Sequence, residues 1–259
     1  MKIVSVDQMD RGLAYAESCF ETFRVIDGVV FDWAGHWQRM MMGLLAFGVS
    51  FSEEKSEQIR IACLVEAEKT GVDSLVRLTV TAGEAGWGLL SKAVEPLVYI
   101  QSIRYCSDHS PIRLRLKNWP FPLKEKYAKC SADYAETSRL LHGEKDVHLL
   151  FEQHGMLMAA ATANILLFRD GVWHTPVAGL GVLAGRVRDF FIRKGLVNEK
   201  SCPLSWLDDC EAAVVCNSGM FIKPVADVAG IQRQYPMRTE HAAIVLLRET
   251  LRQEEGVQI

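Results

Sequence analysis

The sequence of 259 residues lacks the features that mark several large classes of protein. No uninterrupted apolar run approaches the roughly 18 residues that a membrane-spanning helix needs. The formal net charge is only −3, from 29 basic and 32 acidic side chains, so no strong positive field is present to attract nucleic acid. We therefore expect neither a membrane protein nor a nucleic-acid-binding protein.

Cysteine and histidine also lack the spacings that bind metal ions. The 7 cysteines include no C-x-x-C pair, and the 7 histidines include no H-E-x-x-H motif. The irregular cysteine spacing gives no disulfide framework, and Asp7 follows the first residue too closely for the apolar core of a secretory signal. We expect a cytoplasmic protein with reduced thiols and no metal site.

What the sequence does contain is an alternation of short β-type runs and amphipathic helices, which predicts an α/β protein. Asp27-Gly28 separates two β-type runs and is typical of a tight hairpin turn. Ser52 is a plausible N-cap of a helix that stops at Gly71. The predicted strands of this half lie within 19–30 and at 75–81 and 97–103, and the predicted helices lie at 37–47 and between Ser52 and Gly71.

Prolines and charges cluster in residues 106–127, and prolines exclude most regular structure. We therefore predict an interdomain connection over 111–127, which separates a small N-terminal α/β domain, 1–110, from a larger C-terminal domain, 128–259. The C-terminal domain has predicted helices at 131–141, 185–193 and 240–252, and predicted strands at 147–152, 156–168 and 212–216.

A glycine-rich turn over 179–185 leads into the helix predicted from Gly185. A helix start presents unpaired N–H groups and a partial positive charge, so it suits a phosphate, but many such turns contain glycine for steric reasons alone. The turn fits neither the dinucleotide pattern nor the Walker loop. Asn217 and Ser218 follow an apolar strand, a position typical of ordinary turns and of ligand crevices.

Three lysines, Lys124, Lys126 and Lys129, lie in one short segment. Such a cluster is usually a solvated face. A lysine that forms a Schiff base, however, must be partly desolvated so that its amine is neutral often enough to attack. Small residues follow Lys129 and Tyr134 lies on the next turn, which leaves space for a planar ligand. On the residues alone, the three lysines remain alternatives.

Taken together, these segments resemble one family. The motifs are F-E-T-F-R-V-I-D-G at 20–28, H-W-Q-R at 36–39, N-I-L-L-F at 164–168, L-A-G-R-V-R at 183–188 and V-V-C-N-S at 214–218. Their order and spacing resemble the fold-type IV pyridoxal-phosphate enzymes, which include branched-chain and D-amino acid aminotransferases and aminodeoxychorismate lyase. The resemblance implies a two-domain α/β (α+β) fold like that of D-amino acid aminotransferase, with the cofactor between the domains.

The resemblance also implies roles for individual residues. Lys129 would hold pyridoxal 5'-phosphate covalently, with Lys124 and Lys126 as the alternatives. Tyr134 would form a hydrogen bond with the phenolic oxygen of the cofactor, and Arg39 of the H-x-x-R motif would bind its phosphate. The remaining implied cofactor positions are Ala159, Gly185, the backbone N–H groups of Arg186 and Val187, Asn217 and Ser218, and the implied substrate positions are Phe20, Thr22 and Arg24.

Two segments depart from the family pattern. The family carries a glutamate opposite the pyridine nitrogen, and here that position is Ala159. A carboxylate there keeps the ring nitrogen protonated, and the protonated ring is the electron sink that stabilises a substrate carbanion. The glycine-rich loop near Gly83 also lacks the arginines that lyase relatives tend to carry, which bears on recognition of a dicarboxylate.

The resemblance leaves three hypotheses about activity. The opening motif favours a lyase resembling aminodeoxychorismate lyase, which converts 4-amino-4-deoxychorismate into 4-aminobenzoate and pyruvate in the folate pathway. The alternatives are a branched-chain or D-amino acid aminotransferase and a catalytically degenerate binding protein. A small-molecule amino compound is the expected substrate, and a homodimer is the expected assembly.

Overall fold

The chain divides into two compact units. The computed structural model describes residues 6–93, 95–143, 148–230 and 233–258. The first unit contains the chain up to Tyr105 together with Ala128–Ala135, and the second contains Cys106–Tyr127 and the chain from Glu136 onward. None of the helices within the described ranges has the length and apolar character that crossing a membrane requires.

The first unit is built on a four-stranded antiparallel sheet in the order β3-β2-β4-β6. Its elements are β1 (Met9–Asp10), α1 (Arg11–Tyr15), β2 (Ser18–Ile26), β3 (Val29–Val30), α2 (Trp33–Leu45), α3 (Glu53–Glu68), β4 (Asp73–Thr81), β5 (Glu84–Ala85) and β6 (Leu97–Arg104). Asp27 and Gly28 join β2 to β3 with φ values of 50° and 77°, the positive values that a type I′ turn requires. The predicted hairpin is confirmed.

Helices cover one face of this sheet because apolar side chains alternate along its strands. Cys19, Phe23 and Val25 of β2 pack with Met40 and Leu44 of α2 in one buried cluster. Successive side chains of a strand point to opposite faces, so the odd-numbered residues of β2 face the helices and the even-numbered residues face away from them.

The second unit is built on a nine-stranded mixed sheet. The elements that follow along the chain are β7 (Ile112–Asn118), α4 (Tyr134–Leu141), β8 (His148–Gln153), β9 (Met156–Ala160), β10 (Asn164–Arg169), β11 (Val172–Thr175), α5 (Arg186–Arg193), β12 (Val197–Glu199), β13 (Ala212–Asn217), β14 (Phe221–Ala229), β15 (Gln234–Pro236) and α6 (Ala242–Arg252). The strand order is β12-β11-β10-β13-β14-β7-β8-β9, and β15 pairs with β14. A buried apolar cluster includes Ile165, Ala213, Val215 and Val225 from its central strands.

The segment predicted as an interdomain connection, 111–127, contains a strand instead. β7 pairs in parallel with both β14 and β8 inside the nine-stranded sheet. Pro111 and Pro120 lie outside the ends of β7, so they bound the strand without removing a hydrogen bond from it. Residues 128–135, expected in the C-terminal domain, group with the first unit.

Most other predicted elements are confirmed, with shifted ends. The strand predicted over 156–168 is two strands, β9 and β10, because the chain turns between them. Residue 147 of another predicted strand lies outside the described residues, and β8 begins at His148. The predicted N-cap at Ser52 is confirmed, since its hydroxyl accepts the backbone N–H of Lys55 at 3.3 Å.

Candidate active site

A buried carboxylate on β2, that of Glu21, holds two side chains of α2. Arg39 Nε and Nη2 donate to the two Glu21 oxygens at 2.8 and 2.6 Å, and His36 Nδ1 lies 2.6 Å from Oε2. His36 and Arg39 are three residues apart and therefore share one face of the helix. None of the three residues is more than 6% exposed. The two-point contact fixes the plane of the Arg39 guanidinium.

The charges in this cluster balance. Burial alone would raise the pKa of Glu21, but the charge and hydrogen bonds of Arg39 and His36 outweigh burial and lower that pKa to about 2. Burial lowers the pKa of His36 despite the nearby carboxylate, so the imidazole is neutral. Ionised Glu21 can only accept, so His36 Nδ1 carries the hydrogen, and within the described residues His36 Nε2 has no hydrogen-bond partner.

Lys129 lies beside this cluster, on a segment that runs along the start of β2. The N–H of Phe20 donates to the carbonyl of Lys129 at 2.9 Å, and Lys129 Nζ lies 4.6 Å from the centre of the Phe20 ring. The Lys129 charge also contributes to lowering the pKa of His36. By contrast, Lys124 and Lys126 belong to the second unit, and Lys124 Nζ donates to Glu136 at 2.9 Å. Of the three candidate lysines, Lys129 is the one that lies in the first unit, which also contains Arg39.

Tyr134 completes this group of residues. Its ring packs edge-on against Phe20, with 4.8 Å between the ring centres. Burial raises the pKa of Tyr134 well above its ordinary value, although the charge of Arg39 acts in the opposite direction. The phenol therefore keeps its proton and can donate a hydrogen bond.

One functional candidate, Arg77, was not identified from the sequence. It lies on β4 directly opposite Thr22, and its guanidinium carbon is 3.8 Å from the centre of the Phe20 ring. The side chain is exposed, and among the described residues it has no ion pair with a carboxylate. A guanidinium in this setting can bind a carboxylate. The sequence signal that could have identified Arg77 is its charge within the alternating run L-V-R-L-T-V-T, residues 75–81.

The resemblance implied a substrate role for Arg24, and in the structure its guanidinium is engaged by other side chains of the first unit. Its Nε donates to Asp73 Oδ1 at 2.9 Å, and a second nitrogen forms an ion pair with the same carboxylate. The guanidinium also stacks on the ring of Tyr105, and the residue is 2% exposed. Arg24 therefore ties the end of β2 to the start of β4. Phe20 and Thr22 stay on the face that carries Arg77.

In the second unit, the predicted glycine-rich turn leads into α5 as expected. Gly185 is the N-cap of α5, and no side chain caps this helix start. Asn164 donates to the Leu183 carbonyl at 2.9 Å, and a Cβ at Gly185 would lie 2.0 Å from Asn164 Oδ1. Only glycine fits there, and the N–H groups of Arg186 and Val187 begin the helix, where an anion is favoured.

Two polar residues lie at the turn after β13: Asn217, which shapes the turn, and Ser218, which is a candidate ligand of the cofactor. The Asn217 amide donates to the Thr162 carbonyl at 3.0 Å and accepts the N–H groups of Gly219 and Met220 at 2.9 Å. These contacts shape the turn, and the implied contact of Asn217 with the cofactor stays a prediction. Ser218 is buried to 8% exposure immediately beyond the strand.

Ala159, the position that carries glutamate in the family pattern, lies on β9 in apolar surroundings. It packs against a cluster that includes Phe151, Met158 and Val182. A methyl group there offers neither charge nor hydrogen bond to a ring nitrogen. Ala159 therefore lacks the chemistry that the family pattern has at this position.

The fold and the arrangement of these side chains can be compared with those of known proteins. Residues 18–228 match the family described as amino-transferase class IV. The chain therefore belongs to the class IV aminotransferase family of pyridoxal-phosphate-dependent enzymes, and the predicted fold type IV is confirmed.

Similar proteins fall into two activity groups. The "putative branched-chain-amino-acid aminotransferase" of Methanocaldococcus jannaschii is 25% identical, with 88% of this chain and 84% of that protein covered. The "putative 4-amino-4-deoxychorismate lyase" of Legionella pneumophila has a similar structure, with a TM-score of 0.80, 21% identity and coverage of 98% and 96%. The branched-chain aminotransferase of Escherichia coli gives a TM-score of 0.76 at 21% identity, covering 96% of this chain and 88% of its own.

Proposed function

We propose that this protein is a pyridoxal-phosphate-dependent lyase that converts 4-amino-4-deoxychorismate into 4-aminobenzoate and pyruvate. The observation that carries this proposal is the apolar setting of Ala159. Without an acid at this position, the ring nitrogen of the cofactor would be neutral more of the time, and the ring would stabilise a substrate carbanion less well. This disfavours an aminotransferase, whose reaction needs reversible proton transfers in both of its half-reactions. Formation of an aromatic product supplies a driving force that tolerates a weaker sink.

Each unit, taken by itself, offers groups that suit part of the cofactor. In the first unit, Arg39, held by Glu21, offers guanidinium donors that suit a phosphate. In the second unit, the start of α5, where Asn164 leaves no space for a Cβ at Gly185, offers backbone N–H groups that suit an anion. Lys129 supplies an amine for the aldehyde. When bound, the cofactor supplies a conjugated ring that withdraws electrons from the substrate's Cα–H bond. Position 159, where the family pattern places an acid for the ring nitrogen, carries no acidic side chain here.

The side chains of the first unit have separate tasks in this reaction. Lys129 Nζ would hold the cofactor and, as a free amine, would accept the proton from the substrate's α-carbon. The Phe20 ring, against which Tyr134 packs, lies beside that amine and shields it partly from water. Arg77 binds a substrate carboxylate, the role left by the missing loop arginines.

The direct test is covalent capture followed by turnover. Wild-type protein mixed with pyridoxal phosphate and reduced with borohydride is expected to carry the cofactor on Lys129, as read by peptide mass. K129A is expected to lose this adduct, and K124A, a matched change at an exposed lysine, is expected to keep it. Holoenzyme given 4-amino-4-deoxychorismate is then expected to release pyruvate. An adduct on another residue, or none, would refute the assignment of Lys129.

A second candidate function is a branched-chain aminotransferase, and the M. jannaschii relative favours it. The same holoenzyme incubated with leucine and 2-oxoglutarate would then produce glutamate, and it would release no pyruvate from the chorismate substrate. A holoprotein inactive in both assays would support the third hypothesis, a binding protein that has lost catalysis.

The expected homodimer and cytoplasmic location remain part of the proposal. Trp87 and Leu90 are almost completely exposed on a first-unit loop whose carbonyls accept hydrogen bonds from Arg11. Large apolar side chains held out in this way are typical of a protein–protein interface. Sedimentation at micromolar concentration is expected to give twice the mass of 29.0 kDa, and a single-chain mass would contradict it.

A further inference from the structure

Two cysteines face each other where the Lys129 segment runs along β2. The sulfur atoms of Cys19 and Cys130 are 3.6 Å apart. Cys19 is fully buried and Cys130 is half-buried. Among the described residues this is the one pair of thiols at hydrogen-bond distance, and the proposed reaction uses neither of them.

The backbone geometry at this pair suits a disulfide. Cys19 and Cys130 form an isolated antiparallel bridge. The hydrogen bond from Phe20 N–H to the Lys129 carbonyl joins the residues that flank them, so the cysteines form a non-hydrogen-bonded pair. In such pairs the Cα atoms are about 4.5 Å apart, within the range of about 4.4–6.8 Å that disulfides span.

Gly43 of α2 leaves room for the sulfur atoms. A Cβ at this position would lie 2.5 Å from Cys19 Sγ and 3.5 Å from Cys130 Sγ. With glycine there, the sulfurs can approach from 3.6 Å to the bonded distance of about 2.05 Å by side-chain rotation and small shifts.

The two thiols differ in reactivity. The hydrogen bond with Cys19 lowers the pKa of Cys130, although burial opposes this effect. The same hydrogen bond, together with burial, raises the pKa of Cys19. Cys130 therefore ionises first and is also the more accessible thiol, which are the properties of an attacking thiolate.

We propose that Cys19 and Cys130 are a redox modification site that forms a reversible disulfide when the protein meets a hydroperoxide. The Cys130 thiolate attacks one peroxide oxygen, the O–O bond breaks, and the leaving oxygen takes a proton and departs as alcohol or water. Cys19 sulfur then attacks the Cys130 sulfenic acid, and the S–S bond forms as the S–O bond breaks. Water leaves with the Cys19 proton. Two sulfurs lose two electrons, and the peroxide gains them.

The disulfide would fasten the segment that carries Lys129 to β2. This consequence rests on the proposed function, but formation of the bond does not. The reduced protein holds these strands by hydrogen bonds, including that between Ser18 Oγ and Ser131 Oγ at 2.7 Å. A covalent link restricts the small movements that Lys129 needs when its amine is displaced and returns.

The test uses the full chain without cofactor. After hydrogen peroxide and then N-ethylmaleimide in denaturant, which lets the buried thiols react, the wild-type mass is expected to show two fewer alkylated thiols, and digestion should give a linked peptide with Cys19 and Cys130. Dithiothreitol should abolish it. C106S, which changes an exposed cysteine, is expected to retain the link, and C19S is expected to leave a sulfenic acid on Cys130 that dimedone traps. Wild-type protein with Cys19 and Cys130 both alkylated after peroxide would overturn the proposal.

A second measurement addresses the effect on Lys129. The rate of pyridoxal-phosphate capture is compared for reduced, oxidised and re-reduced protein, and the oxidised form is expected to be slower and to recover. Equal rates would remove the regulatory consequence. If no form captures the cofactor, the proposed function fails, while the mass measurement still decides the disulfide.

Discussion

Position 21 in the first unit and position 159 in the second differ in the chemistry that surrounds them. Glu21 is 1% exposed, and both of its oxygens are engaged by Arg39 and His36. Ala159 places a methyl group among apolar side chains where the family pattern has an acid. The groups that suit the anionic and aldehyde ends of the proposed cofactor are thus present, and the group that tunes its ring is absent. The proposed anchoring and the proposed tuning of the cofactor thus depend on different positions of the chain.

The largest effect is expected from Glu21→Gln. The amide leaves the Arg39 charge buried without its partner, which costs about 3–5 kcal/mol of unfolding free energy. Urea unfolding of the cofactor-free protein measures this loss. Glu57→Gln is the matched control, because Glu57 pairs with Arg60 on an exposed helix face, where a pair contributes about 0.2–1 kcal/mol. Similar losses for the two variants would contradict the special status of Glu21.

Gly185→Ala probes the start of α5 in the second unit. The added Cβ would lie 2.0 Å from Asn164 Oδ1, and relief of such overpacking costs about 1–3 kcal/mol. The affinity for pyridoxal phosphate, measured by titration, is expected to fall as the turn shifts. At Gly86 the nearest atom to a new Cβ is Ser91 Oγ at 3.4 Å, so Gly86→Ala should change little. Unchanged affinity in G185A would argue against a phosphate at this helix start.

Ala159→Glu tests the missing tuning group directly. In the cofactor-free protein the new carboxyl enters apolar surroundings and is expected to cost about 1–3 kcal/mol of stability. In the holoenzyme it can pair with the ring nitrogen, and a gain of about tenfold in turnover corresponds to about 1.4 kcal/mol. Ala159→Gln has the same length without the charge and should show the stability loss only. Equal turnover in the two variants would mean that ring protonation does not limit the rate.

The smallest effect is the acid dependence of stability. Because the pKa of Glu21 is lowered from 4.5 to about 2 by folding, its contribution is complete above the unfolded value and declines as pH falls toward the folded one. At pH 3.5 the expected loss from this group is about 1 kcal/mol. The difference between wild type and E21Q in urea unfolding at pH 6 and pH 3.5 isolates it. A difference that stays constant with pH would contradict the lowered pKa.

Much of the fold could be predicted from local patterns, because the hairpin, the helices and the glycine turn each depend on short-range chemistry. β7 was not predicted because the prolines on either side of it indicate a connection. The alternation I-R-L-R-L between them is nevertheless typical of a half-buried strand. Its neighbours β14 and β8 are distant in sequence, so its pairing depends on contacts that no local pattern encodes.

The candidate site divides in the same way. The spacing of His36 and Arg39 places both on one face of α2, which the sequence could predict. Glu21 lies on the face of β2 that otherwise carries apolar residues, and a charged residue on such a face indicates a buried partner of opposite charge. The pairing of Thr22 with Arg77 depends on strand register, which turn chemistry and packing decide together.

Because His36 and Arg39 share a single carboxylate, a substitution at position 21, 36 or 39 affects the other two positions. A neutral replacement of the acid strands a cation in the interior, whereas replacing acid and cation together removes both demands. We therefore expect substitutions at positions 21, 36 and 39 to occur together in evolution. A single change at position 21 therefore carries a large stability cost, whereas a paired change avoids it, and position 159 can change alone.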